Sequence, residues 1–205
     1  MPLDTPEPPE PPRQRGAYAK GIARRQEILD RAIEVFAERG ADRTSLRAIA
    51  REVGVTHAAL THYFGSLEEL LVAVYEESTV PSRQPSSPPP DATPVEMMIE
   101  SARLNRAIPG LVQLYSTLVA TALEEGHPAA RTFATGRFTR LRARLADVVR
   151  RQQEEGRIRD DLDADAVAAL VVAASDGLQT QWLLDETAPQ HEALALLDRL
   201  LRPGA

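Results

Sequence analysis

The sequence predicts an all-α protein: an N-terminal three-helix unit built on a helix-turn-helix, joined by a linking helix to a larger all-helical body. Three observations carry this. Apolar residues recur at i, i+3, i+4 and i+7 in segment after segment, and no stretch alternates apolar and polar with period two. Residues 44–64, TSLRAIAREVGVTHAALTHYF, hold two short amphipathic stretches on either side of Gly54. Two proline-rich stretches, 1–12 and 81–94, punctuate the chain with no helical or strand pattern of their own.

Residues 1–12 contain Pro2, Pro6, Pro8, Pro9, Pro11 and Pro12. Each fixes φ and lacks an N–H, so residues 1–16 are expected to be a disordered tail. Arg13, Arg15 and Lys20 then form a flexible basic arm. The first helix is expected from Gly21 to Arg39, with Ile28, Ala32, Val35 and Phe36 inward, Leu29 and Ile33 widening the stripe, and Gly40 ending it. Leu46, Ile49, Ala50 and Val53 give the second helix its apolar face. Gly54 stops it, because glycine takes positive φ at little cost. Ala50 puts a small side chain where the next helix must cross. Thr56 caps that third helix, in which Leu60 and Phe64 face inward while Thr61 and His62 face elsewhere. Residues 17–65 therefore read as one domain. Ser66 and Glu69 have capping-box spacing and open a linking helix to about Ser78, with Leu67, Leu70, Leu71, Val74 and Tyr75 as its apolar positions.

Residues 66–205 read as the second domain, interrupted by a mobile proline-rich loop at 81–94. Helices are expected from Val95 to Arg106, from about Pro109 to Gly126, over 128–155, from Ala164 to Asp185, and from Gln190 to Leu201. Leu111, Val112, Leu114, Tyr115, Leu118 and Val119 mark the second of these. The third is dense in arginine, with Phe133, Phe138, Leu141, Leu145 and Val148 inward. Ala166 to Ala174 (AVAALVVAA) is apolar all round, so that helix is expected to be buried on two sides. The last helix is similarly broad, with Leu194, Leu196, Leu197, Leu200 and Leu201. Helices 164–185 and 190–201 from two chains would form a four-helix bundle across a two-fold axis, with Gly177 allowing close approach, so a homodimer is expected.

Charge separates the two halves. The chain carries a formal net charge of −6, yet residues 13–64 hold ten Lys/Arg against six Asp/Glu. A basic head on an acidic body presents one face to a polyanion. There is no cysteine, which excludes disulfides, thiolate catalysis and thiolate-bound metal. His57, His62, His127 and His191 are scattered, and no HExxH, P-loop, GxGxxG or GxSxG pattern occurs, so neither an enzyme nor a metal or organic cofactor is expected. No run of about 18 apolar residues and no signal peptide are visible; a cytoplasmic protein without a membrane span is the expectation.

With the four N-terminal helices in place, the head resembles the DNA-binding domain of the TetR family of repressors. The residues that carry the likeness are Ile28, Phe36, Gly40, Thr44, Arg47, Ile49-Ala50, Gly54-Val55, Leu60, Tyr63-Phe64, Ser66 and Glu69-Leu70. The C-terminal half resembles the family's helical ligand-binding and dimerisation domain at Pro109-Gly110-Leu111-Val112, His127-Pro128-Ala129, Asp176-Gly177-Leu178-Gln179 and Trp182-Leu183. The resemblance implies a dimeric regulator that binds double-stranded DNA and responds to a small-molecule effector. It places DNA contacts at Lys20, Arg24, Thr44, Arg47, Thr56, His57, Ala58, Thr61, His62 and Tyr63. Residue chemistry agrees: Arg47 suits bidentate pairing with guanine, and Ala58 suits a thymine methyl. Two positions depart from the family pattern. Thr61 stands where most members have an aromatic, and Leu67 where most have a phosphate-binding lysine, which shifts the expected burden to Arg47, His62, Tyr63 and the basic arm. Met98, Leu104, Tyr115, Phe133, Phe138 and Trp182 are the expected lining of an effector pocket, with an apolar or neutral ligand. The alternative is a DNA-binding regulator without ligand, controlled by a protein partner or by expression level.

Overall fold

The computed structural model describes residues 13–39, 46–80, 88–108 and 110–204, with backbone alone for residues 13–19, 36–39 and 46–48. Among these the chain is helical throughout and contains no strand. The order is α1 (Arg13–Arg39), α2 (Leu46–Val53), α3 (His57–Phe64), α4 (Leu67–Ser78), α5 (Pro94–Arg106), α6 (Leu111–Thr121), α7 (Pro128–Glu154), α8 (Ala164–Leu184) and α9 (Gln190–Leu201).

Local chemistry sets the helix ends. Gly54 takes φ 71°, its N–H donates to Arg51 O at 3.3 Å, and Val55 N–H donates to Ala50 O at 2.9 Å. That pair of bonds is a Schellman motif, and it turns the chain from α2 into α3. Thr56 accepts from Ala59 N–H at 3.1 Å and so caps α3. Gly65 (φ 73°) ends α3, and Ser66 accepts from Glu69 N–H at 3.1 Å to start α4. A complete capping box opens α5. Glu96 N–H donates to Thr93 Oγ1 at 3.1 Å, and Thr93 N–H donates to the Glu96 carboxylate at 2.8 Å.

The side chains pack into two cores. The first joins Ile28 and Leu29 of α1, Ile49 of α2, Leu60 and Phe64 of α3 and Leu70, Val74 and Tyr75 of α4 to Leu114 and Tyr115 of α6 and Phe133 of α7. The head and part of the body thus share one apolar interior. The second lies among α5, α7, α8 and α9 and includes Val95, Leu145, Val149, Val171 and Leu194. Half-buried Phe138 touches both. Leu60 and Leu70 are fully buried, and burial of such a side chain stabilises by roughly 1.5–3 kcal/mol.

A polar contact reinforces the apolar one between head and body. Glu68, in the first turn of α4, accepts the N–H of Ala130 at 2.7 Å, and His127 Nδ1 lies 3.7 Å from the same carboxylate oxygen. A carboxylate at the amino end of α7 meets both free N–H groups and the positive end of the helix dipole.

Several boundaries differ from the sequence expectation. α1 begins at Arg13, so Arg13, Arg15 and Lys20 stand on a helix and not on a flexible arm; Arg, Gln, Ala and Lys favour helix enough to carry Gly16 and Gly21. α6 stops at Thr121, and residues 122–126 form turns that end at Gly126, φ 87°. The expected loop at 81–94 is held at its far end. Gln152 Nε2 donates to Ala92 O at 3.0 Å and Arg157 Nη1 to Asp91 O at 2.7 Å, tying this stretch to α7 and the turn after it. Residues 1–12 and 81–87, Pro109 and the Gly40 helix stop lie outside the described residues. α8 is long and apolar enough to cross a membrane by length and composition. Here it packs against α5, α7 and α9 and carries the half-buried carboxylate of Asp176.

The turn at Gly54 offers a clean test of backbone control. No heavy atom lies within 4 Å of where a Cβ would stand, so Gly54→Ala acts through φ alone. Urea unfolding should show a loss of about 1–2 kcal/mol; an unchanged midpoint would show that the turn tolerates a different φ.

Candidate nucleic-acid interface and ligand cavity

A candidate site lies on each half of the molecule. In the head, α3 buries Leu60 and Phe64 and leaves His57, Ala58, Thr61 and His62 exposed. Residues 57, 58, 61 and 62 fall at i and i+4 spacing, so they share one face of the helix. Thr61 Oγ1 donates to His57 O at 3.0 Å, which uses its O–H and leaves the exposed hydroxyl as an acceptor. Tyr63 is half-buried and meets the His62 ring edge-on at 5.3 Å. Thr56 Oγ1 accepts the cap bond from Ala59 N–H, which leaves its O–H free to donate to a further partner.

The flanking residues are placed unevenly. Lys20 is exposed on α1. Arg24 is exposed and pairs with Glu27 at 2.7 Å, an i,i+3 contact weak enough in water to yield to a phosphate. Arg25 lies over the Phe64 ring at 4.7 Å and braces α1 against α3. Arg47 falls in α2, where backbone alone is described, and Thr44 lies outside the described residues. Leu67 is half-buried and packs on the first core, so the departure from lysine serves the fold.

In the body, a cavity of about 220 Å³ opens among α4, α5 and α7. Tyr75 of α4 and Thr79, the C-cap of that helix, form one wall, Met97, Met98, Leu104 and Asn105 of α5 another, and Arg137 and Leu141 of α7 a third. Of the expected lining, Met98 and Leu104 reach it. Tyr115 sits behind the wall, its ring stacked on Tyr75 at 5.4 Å. Phe133 meets Tyr75 edge-on at 5.3 Å inside the first core. Phe138 is not among the lining residues, and Trp182 lies beneath the Arg106 guanidinium at 4.1 Å, outside this cavity. These aromatics hold the helices together and leave the walls to Met, Leu and polar groups.

Sequence reasoning missed Arg137. It is one of many arginines on α7, yet Phe133, Arg137 and Leu141 follow at i, i+4 and i+8, the inward register. Its guanidinium lies 4.7 Å from the Tyr115 ring centroid and 5.4 Å from that of Tyr75. Tyr115 Oη donates to Asp176 Oδ2 at 2.7 Å. Burial raises the Asp176 carboxyl above its ordinary range, while the Tyr115 hydrogen bond and the Arg137 charge pull it back. Burial also raises the hydroxyls of Tyr75 and Tyr115, the charge of Asp176 adding to the effect at both, so both stay protonated. Burial works against the charge on Arg137, but the two tyrosines and Asp176 outweigh it, and the net shift is upward. Arg137 and Asp176 thus balance each other's charge through Tyr115. Two polar atoms at this cavity lack a hydrogen-bond partner: Asn105 Oδ1, an acceptor, and Arg137 Nε, a donor. A bound molecule with one donor and one acceptor would satisfy both.

Comparison with known proteins places these features in context. Residues 28–74 match the model of bacterial regulatory proteins of the tetR family, and residues 102–203 match that of the BetI-type transcriptional repressor C-terminal domain. The chain is 30% identical to the HTH-type transcriptional repressor Rv1474c of Mycobacterium tuberculosis over 176 residues, 85% of this chain and 89% of that protein. It is similar in structure to a transcriptional regulator from Saccharomonospora viridis in complex with choline. The TM-score is 0.66 and identity 24%, covering 89% and 97% of the two chains. It is similar also to the multidrug binding protein EbrR complexed with imidazole, with TM-score 0.58, identity 28% and coverage of 89% and 93%.

The Asp176 cluster has a pH signature. Because the folded-state carboxyl is raised above 3.8, its protonated form favours folding, and that contribution fades as pH rises through the raised value. Asp176→Asn keeps an acceptor for Tyr115 and cannot titrate. The stability of the variant relative to the parent should therefore increase as pH climbs above 3.8 and then level off. Chemical denaturation across acidic to neutral pH measures this; a flat difference would mean that Asp176 titrates as it does unfolded.

Proposed function

The chain belongs to the TetR family of bacterial regulatory proteins, and from that premise we propose that it is a homodimeric repressor released from a palindromic operator by a small neutral ligand held among α4, α5 and α7. It is a DNA-binding transcriptional regulator, not an enzyme. In this reading it acts in the cytoplasm, where α3 enters the major groove. His57 and Ala58 reach base edges from its first turn, Thr61 and His62 follow one turn on, and Tyr63 and Thr56 approach the backbone. Arg47, Thr44, Lys20 and Arg24 supply base and phosphate contacts around it.

The observation that carries the control mechanism is the double membership of α4. Its first half supports α3 through Leu67 and Leu70, and its last half lines the cavity with Tyr75 and Thr79. A ligand that favours one position of α4 thereby favours one position of each recognition helix. Two such helices must sit about 34 Å apart to read successive major grooves. A ligand that prefers another spacing lowers DNA affinity by its differential binding alone. The balanced charges of Arg137 and Asp176 favour a neutral molecule, and the imidazole complexed with the structurally similar multidrug binding protein EbrR supports a small one.

Exposed leucines support the dimer. Leu170 and Leu184 of α8 are 53% and 86% exposed, and Leu196 and Leu200 of α9 are 47% and 55% exposed. Gly177 lies between them on α8 with open space above its Cα. A second copy of the same two helices would bury this face.

Three measurements test the reading. Selection of bound DNA from a random pool should enrich a near-palindromic site; absence of enrichment at physiological salt would overturn it. On that site, Arg47→Ala should relax preference at one base-pair position by about 1–3 kcal/mol, whereas Lys20→Ala should weaken all sequences evenly and reduce the salt slope by about 1. Leu196→Glu with Leu200→Glu should give a folded monomer by light scattering that no longer binds the full site. A mutated chain that remained dimeric would place the interface elsewhere.

A further inference from the structure

A second cavity, of about 290 Å³, lies on the other side of α5 between that helix and the start of α9. Its apolar walls are Ile99 and Ala102 of α5 and Leu194 of α9. Among the described residues, every polar group around it is a hydrogen-bond donor or carries one, and no carboxylate lines it. Arg106 lines it, and its Nε and Nη2, shielded from solvent, have no partner among the described residues. Gln190 is 4% exposed and leaves Nε2 without a partner. These are three unsatisfied donors at one small cavity, where buried polar groups are normally paired.

Two further features sharpen the chemistry. Arg106 stacks on the Trp182 ring at 4.1 Å, which fixes the plane of its guanidinium. The edge formed by Nε and Nη2 is the one that pairs side-on with two oxygens of an oxyanion. α9 also begins here. Its N-cap, Pro189, supplies no side-chain hydrogen bond, and Gln190 N–H donates to Ala188 O at 2.8 Å, so the positive end of the helix dipole lies beside Gln190 without a side-chain cap. Arg103 is not counted among the free charges, because Glu100 holds it by two hydrogen bonds of 2.7 Å. Burial alone lowers the pKa of Arg106, as expected for a cation with no anion beside it.

We propose that this cavity is a second ligand site, separate from the effector cavity, for a small organic oxyanion whose charged end pairs with Arg106 and Gln190 and whose short hydrocarbon part lies on Ile99, Ala102 and Leu194. The chemistry is shared by carboxylates and phosphates; the apolar walls favour a carboxylate. The site stands on the far face of α5 from Met98, Leu104 and Asn105, so α5 is a common wall of the two cavities. It requires neither DNA nor the effector to be tested.

Trp182 is the chain's single tryptophan, and its fluorescence reports on the cavity through Arg106, which stacks on its ring. The intact protein is titrated with butyrate, benzoate, inorganic phosphate and the neutral isostere butyramide at constant ionic strength. A saturable change in Trp182 emission is expected with butyrate or benzoate, at least tenfold tighter than with butyramide. Saturation by phosphate with no response to either carboxylate would overturn the organic ligand. Arg106→Gln and Gln190→Leu should each weaken the response at least tenfold. Gln190→Glu, which installs a carboxylate beside Arg106, should abolish binding while leaving thermal stability equal or higher, and so guards against loss through misfolding. A non-saturable response, equal binding of butyramide, or parent-like binding by all three variants would each overturn the proposal.

Discussion

Everything in this molecule depends on α4 being packed into two places at once. Leu70, Val74 and Tyr75 share a core with the helix-turn-helix and with α6 and α7. The carboxylate of Glu68 fixes the same helix to the amino end of α7. Close-packed interiors do not deform smoothly; they shift between discrete arrangements. A movement of α4 must therefore take α1 and α3 with it. The head cannot behave as a bead on a string, because the apolar surface that would detach it is already buried against the body.

The same economy explains the arrangement of aromatic residues in the body. Tyr75, in the wall of the effector cavity, stacks on Tyr115 and meets Phe133 edge-on behind it, and Arg137 lies over two of these rings. Stacked rings and a charge pair bridged by Tyr115 hold four helices, α4, α6, α7 and α8, at fixed distances while a cavity remains open beside them. The cavity walls are then free to be made of methionine and leucine, which adapt to a ligand without cost to the frame. Arg106 repeats the device on the far face of α5, where stacking on Trp182 orders a guanidinium with no anion beside it.

Much of the head was legible. Gly54, Thr56 and Gly65 each impose a local geometry that needs no distant partner, and the periodicity of Leu60 and Phe64 set the buried side of α3. The body was read less well wherever the answer depended on a neighbour. Large aromatics at helical spacing suit a core and a pocket equally, so Tyr115, Phe133, Phe138 and Trp182 looked like pocket lining while the structure uses them as supports. Arg137 was hidden for the opposite reason. A buried arginine is rare unless paired, and its partners, Tyr115 and Asp176, come from two other helices. The start of α1 at Arg13 was missed because the prolines before it drew the boundary too late.

What the sequence determined by itself were the features that act within a turn or two of chain: helix existence, the caps, the helix-turn-helix, the basic head and the broad apolar faces of α8 and α9. Their cause is short-range, in backbone dihedrals and side-chain spacing. Only the tertiary structure decided which apolar residues became walls and which became supports, where Arg137 and Arg106 found their rings, and that α4 would belong to both halves. Those outcomes depend on contacts between helices far apart in sequence. One-dimensional spacing carries no information about which helix will lie against which face.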